Sequence, residues 1–146
     1  MEKRHPRSPN ERLGGYVHLP RLIDKARLHR QGLLKGYNYK TVGFDKNLLA
    51  FLRVDPDAFE EAVHRLQSDA EILGWIQKNG IQHTPEAIEQ WSQAMIEQHP
   101  DTAEKMARFR YSLKKAGGEG RTDVRTYFDL IDLEEGRLRE PCVNCG

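Results

Sequence analysis

Helix start signals recur along this sequence so closely that no long helix fits between them. Leu19-Pro20, Asp55-Pro56 and Thr84-Pro85 each place a proline where a helix begins. Proline is tolerated at the first helical position, where its missing N–H is not needed, but it breaks a helix interior or a central strand. Ser68-Asp69-Ala70-Glu71 adds a capping box, and Asp45 and the pair Asp101 and Glu104 read as further caps. Behind these marks the apolar residues recur at helical spacing. The stripes are Leu19, Leu22, Ile23, Ala26 and Leu33; then Leu48, Leu49, Phe51 and Leu52; then Phe59, Ala62, Val63 and Leu66. Ile72, Leu73 and Ile76 follow, then Ile88, Trp91 and Met95, then Met106, Phe109 and Leu113.

Ser8-Pro9-Asn10-Glu11 predicts one more short helix, stopped by Gly14-Gly15, while Gly32 and Gly80 mark helix ends. Residues 33–44 break the period and predict a short extended segment near 37–42. Thr122–Arg137 is amphipathic in either period and reads as a final helix. The expectation is an all-α fold, a compact single-domain helical bundle of six to seven helices over 1–146. Flexible tails are expected at 1–7 and 138–146.

A chain of 146 residues is long enough to bury a core without disulfides or metal. No run approaches the roughly 18 apolar residues of a membrane helix, so no membrane partner is expected. Met1–Arg7 leads into no apolar stretch, and the two cysteines stand at 142 and 145, which predicts a reducing, cytoplasmic setting. A net charge of +1 argues against a dedicated nucleic-acid binder. That charge is balanced in total but not along the chain. Residues 1–40 carry ten Lys/Arg and three Asp/Glu, residues 41–100 four and ten, and residues 101–146 nine of each. Either the basic third packs beside the acidic third, or it faces an anionic partner.

The opening segment concentrates Arg7, Arg12, His18, Arg21, Asp24 and Lys25 around two expected helix N-termini. Helix N-termini favour anions, and guanidinium forks bind carboxylate or phosphate bidentately. These six residues are therefore the candidate ligand-binding set for a small anion or an acidic protein. The alternative is structural: Arg21, Asp24 and Lys25 fall opposite the apolar stripe, and Asp24 can pair along its helix or with Arg7 or Arg12.

The tail motif Cys142-Val143-Asn144-Cys145 has the spacing of half a tetrahedral zinc site, so zinc is a candidate cofactor. No second C-x-x-C and no H-x₃₋₅-H pair supplies the other half, which leaves a tail with two free thiols as the competing reading. Asp129, Asp132, Glu134 and Glu135 form an acidic cluster that reads first as a solvated face. The chain has no P-loop, no G-x-G-x-x-G, no G-x-S-x-G and no H-E-x-x-H.

Two stretches resemble a known family. Pro6-Arg7-Ser8-Pro9-Asn10-Glu11-Arg12-Leu13-Gly14-Gly15-Tyr16-Val17-His18-Leu19-Pro20-Arg21-Leu22-Ile23-Asp24-Lys25-Ala26-Arg27 is similar to the opening signature of a bacterial family catalogued as a domain of unknown function. Thr126–Arg137 (TYFDLIDLEEGR) resembles its closing segment. From Asp69 to Gly120 the likeness lies mainly in length and helical character, and the cysteine tail is outside the pattern. The resemblance implies a small, soluble, bacterial protein and carries no activity to any residue.

Two function classes follow. One is a non-enzymatic binding or accessory module with a basic N-terminal surface. The other is a small enzyme working on an anionic substrate through His18, Arg21 and Asp24. Convergence of those three side chains on one cavity would favour the second. Self-association through the aromatic helices is open to either class.

Overall fold

The computed structural model describes residues 5–138. Its contacts gather into two compact units, Met1–Met95 and Ile96–Gly146. The first opens with an antiparallel hairpin of β1 (Arg12–Leu13) and β2 (Tyr16–Val17), in which Arg12 pairs with Val17 and Leu13 with Tyr16. It continues through α1 (Leu19–Arg30), α2 (Gly43–Leu52), α3 (Pro56–Arg65), α4 (Asp69–Asn79) and α5 (Pro85–Ile96). The second holds α6 (Ala103–Lys115) and α7 (Tyr127–Glu134). The fold is mainly α, as the stripes and caps predict. Among the described residues no helix is long and apolar enough to cross a membrane.

The hairpin replaces the short helix expected after Ser8. Ser8 to Glu11 instead closes a turn: Glu11 N–H donates to the Ser8 carbonyl and Asn10 N–H to the Ser8 hydroxyl, both at 3.1 Å. A capping box needs a helix behind it, and Gly14-Gly15 come too soon. Both glycines take positive φ, 61° and 88°, the conformation a two-residue hairpin turn requires.

Several helix starts obey the sequence. Asp55 accepts from Ala58 N–H at 2.9 Å, Thr84 from Ala87 N–H at 3.1 Å, and both halves of the Ser68–Glu71 capping box are formed. Two starts shift. Thr102, not Asp101, caps α6, and Asp101 instead pairs with Lys105 one turn on. A capping box of Thr126 and Asp129 delays α7 to Tyr127, so this helix is shorter than Thr122–Arg137. Asp129 is therefore a cap and not a member of a solvated acidic face. The extended segment expected near 37–42 is a loop.

The core of the first unit is built on α1. Leu19, Leu22, Ile23 and Ala26 meet Leu48, Leu49 and Leu52 of α2, Phe59 and Val63 of α3, and Ile72 and Ile76 of α4. Burying each large side chain contributes about 1.5–3 kcal/mol. Leu33 does not join them; it is 57% exposed because the chain leaves α1 at Gly32, whose φ is 73°. In the second unit Phe109 and Leu113 of α6 pack with Val124 and with Leu130 and Leu133 of α7.

Two glycines of α4 and its end lead to opposite expectations. A Cβ on Gly80 would collide with the Leu52 carbonyl oxygen and stand 2.9 Å from Val54 Cγ2. Gly80→Ala is expected to cost about 1–3 kcal/mol through overpacking. Gly74 lies inside the helix with nothing within 4 Å of the added carbon, so Gly74→Ala is expected to stabilise by about 0.5–1 kcal/mol. Chemical denaturation of the two variants checks both signs.

Candidate functional site

Five of the six nominated side chains gather around α1, and the helix is more deeply set than its sequence suggests. Arg21 and Lys25 were expected on the outer face; they are 3% and 5% exposed. Residues before the hairpin and the loop ahead of α2 cover that face. Lys25 Nζ donates to the Asn38 carbonyl at 2.9 Å, and Arg21 Nη1 to the Arg7 carbonyl at 3.1 Å. The Arg21 guanidinium carbon also stands 5.7 Å from the centre of the Tyr37 ring.

The innermost network centres on Asp45, which is 1% exposed. His18 Nε2 lies 2.6 Å from its Oδ1, Lys25 Nζ at 3.1 and 3.3 Å from its two oxygens, and Lys40 N–H donates to Oδ2 at 2.9 Å. Burial alone would raise the Asp45 pKa, but the hydrogen bond from His18, the Lys25 ammonium and the Lys40 N–H together hold it below the usual carboxylate range. His18 moves down too, because burial outweighs the Asp45 contacts while Lys25 and Arg21 repel a second positive charge. The ring is thus neutral at neutral pH and donates its Nε2–H to the carboxylate.

Two of the residues that reach Asp45 have left-handed backbones, His18 at φ 71° and Lys40 at φ 64°. Histidine tolerates that region better than most side chains. His18 uses it to turn the chain from β2 into α1: its N–H donates to Pro9 and its carbonyl accepts from Leu22, both at 2.9 Å. A carboxylate-oriented imidazole is how many enzymes set a general base. Here the ring is 1% exposed, so a substrate would have to displace this chain's own segments to reach it.

The second network runs through Arg7. Its backbone N–H, Nε and Nη2 donate to Asp24, and Nη1 and Nη2 donate to Asp69 at 2.7 and 3.2 Å. Hydrogen bonding to Asp69 foremost, opposed by burial and helped by Asp24, pushes the Arg7 pKa up, and the same guanidinium holds Asp69 down. Residues 5–7, read from the sequence as part of a tail, are tied down here: Pro6 is buried and His5 Nδ1 lies 2.6 Å from the Tyr37 hydroxyl. Arg12 stands apart from both networks, 2.6 Å from Glu89 and 3.2 Å from the Gly15 carbonyl.

The structure therefore joins His18 with Lys25 on Asp45, and Arg7 with Asp24, so His18 and Asp24 bond to different partners. Asp45, Asp69 and Ser92 were missed as partners. Ser92, fully buried on α5, accepts from Val17 N–H at 3.3 Å and donates to the Gly15 carbonyl at 3.0 Å, which clamps the hairpin. A signal for Asp45 was present: with Leu48, Leu49 and Leu52 it sits at i, i+3, i+4 and i+7, a carboxylate on an apolar stripe.

Cys142 and Cys145 lie outside the described residues. Among the described residues no group of three or more His, Cys, Asp or Glu side chains is placed to hold a metal ion.

Asp45→Asn leaves Lys25 buried without its counter-charge and is expected to cost about 3–5 kcal/mol at neutral pH, read by chemical denaturation. Acid should destabilise the fold through both partners. The folded pKa of His18 is depressed, so its share of stability is present above the unfolded value near 6.5 and is lost as pH falls toward the folded value. Asp45 adds its loss at lower pH, below its ordinary value of 3.8. Asparagine tolerates positive φ, so His18→Asn is expected to flatten the fall in stability just below pH 6.5, measured as melting temperature against pH.

A family model described as Domain of unknown function (DUF5069) matches residues 3–137. The match stops before Cys142. No curated protein matches the chain. The chain belongs to that domain-of-unknown-function family.

Proposed function

We propose that this family member is a binding module for an anionic partner, in which the N-terminal charges build the scaffold and other cations face the ligand. The observation that carries the reading is a division among the cations of the first unit. Arg7, Arg12, Lys25 and Lys40 each pair with a carboxylate of the same chain. Lys46 and Arg53 instead border a groove of about 340 Å³ beside Leu49, Val54 and Pro56, and among the described residues neither pairs with a carboxylate. Lys46 and Arg53 are exposed, so their attraction for an anion is moderated by salt, and two cations bordering one groove add their fields there. A small anion and an acidic segment of a partner protein share that chemistry.

The enzyme reading has less support. It needs His18, Arg21 and Asp24 together, whereas His18 faces Asp45 and Asp24 faces Arg7. A bacterial, cytoplasmic setting goes with the module, supported by the opening signature Pro6–Arg27 and by a sequence with only two cysteines. Zinc at Cys142 and Cys145 is a separate proposal, and metal content after purification without chelator decides it.

The test compares Arg7→Gln with Lys46→Gln/Arg53→Gln in thermal-shift titrations with inorganic phosphate and citrate. The first variant is expected to melt lower than wild type yet keep its anion-dependent rise; the second is expected to keep its melting temperature and lose most of the rise. The reverse pattern, or a wild type indifferent to both anions, would overturn the reading.

A further inference from the structure

The second unit carries a cavity whose walls combine two kinds of surface. Met106, Phe109 and Leu113 of α6 and Val124 of the following loop supply an apolar floor, and Arg110 and Arg125 stand at its edge. The volume is about 570 Å³, within the range of small-molecule sites.

The floor is held from behind. Gly118 packs so closely that an added Cβ would lie 2.7 Å from both Leu113 Cδ1 and Leu133 Cδ2, and its N–H donates to the Leu113 carbonyl at 2.9 Å. The stretch around Gly117–Gly120 reads as the most flexible in the sequence, but close contact with the core fixes it at Gly118. Arg121 braces the next turn, with Nε donating to Asp123 at 3.0 Å and Nη1 to the Leu138 carbonyl at 2.7 Å. The cavity is therefore preformed, and its occupant need not order the chain to enter.

Two of its three arginines make no ion pair among the described residues. Arg121 is engaged as just described, but among the described residues neither the Arg110 nor the Arg125 guanidinium pairs with a carboxylate. Met106, expected in the core from its place on the α6 stripe, is 36% exposed and extends the apolar surface outward. An apolar floor alone would suit any hydrophobic body, and two guanidiniums alone would suit any anion. Together they select a molecule with both parts.

We propose that this cavity binds a small amphipathic carboxylate, an alkyl or aryl acid whose apolar body lies over Phe109, Leu113 and Val124 while its carboxylate meets Arg110 and Arg125. This goes beyond the anion-binding reading of the first unit and rests on different residues. A free inorganic anion would leave the floor wet, and an alcohol of equal length would leave the guanidiniums without a counter-charge. Glu97 also borders the cavity and repels a carboxylate, so it tunes affinity downward.

Calorimetric titration of the full chain with decanoate, 1-decanol and inorganic phosphate tests the proposal. Decanoate is expected to saturate at one per chain and to bind at least about tenfold tighter than decanol, as a charge-assisted contact implies. Arg110→Gln/Arg125→Gln removes exposed charges and is expected to weaken decanoate to the level of decanol with the melting temperature unchanged. Met106→Glu should weaken it too, and Glu97→Gln should tighten it. Equal binding of decanoate and decanol, an unchanged decanoate affinity in the double variant, or phosphate binding that the double variant loses along with decanoate would each overturn the proposal. So would loss of decanoate binding in Lys46→Gln/Arg53→Gln, which would place the acid in the first unit.

Discussion

One buried carboxylate organises the first unit. Asp45 receives the imidazole that ends the hairpin, the ammonium from the middle of α1 and the backbone N–H of the loop that precedes α2. Three separate stretches of chain are thus fixed to a single point on a fourth. Apolar packing between α1 and α2 is non-directional and would tolerate sliding or rotation of one helix on the other. The carboxylate does not, because its oxygens accept along defined directions and the groups it satisfies are expensive to leave buried alone. The left-handed turns at His18 and Lys40 are affordable in this setting, since the bonds they enable close on Asp45.

The second network has a different character. Arg7, Asp24 and Asp69 are each only partly buried, so their mutual attraction is moderated by water and salt. Its geometry matters more than its raw Coulomb energy: one planar fork lies between two carboxylates on different helices, and fixes how the N-terminal segment crosses α1 and α4. The charge asymmetry of the sequence takes on a concrete meaning here. Arg7, Arg12, Lys25 and Lys40, from the basic third, meet Asp69, Glu89, Asp45 and Asp57 from the acidic one.

Helix positions were legible in the sequence because caps and prolines act locally. The Ser68–Glu71 box and the Asp55 cap need only their own neighbours, and they stand where the residues place them. The hairpin was not legible, because Ser8-Pro9-Asn10-Glu11 satisfies the local rules of a helix start and of a turn equally well. Gly14-Gly15 decided between them. The site was harder still. Whether Arg21 and Lys25 face water depends on which aperiodic segments lie over α1, and neither residues 5–9 nor the loop at 37–42 announces where it docks. Met106 shows the opposite error: correct helical spacing on a face that its own unit leaves partly uncovered.

The clamp on the hairpin has a consequence for the order in which the molecule can be made. Val17 and Gly15 close their hydrogen bonds on Ser92, which lies 75 and 77 residues further along the chain. During synthesis the N-terminal segment emerges first, yet the partners that hold it are among the last residues of its own unit to appear. Helices α1 to α4 can form local turns as they leave the ribosome, but the hairpin must wait for α5 before its polar groups are satisfied. The most distinctive stretch of the sequence is therefore the last of this unit to be locked, and a nascent chain cut short before Ser92 would carry it unlatched.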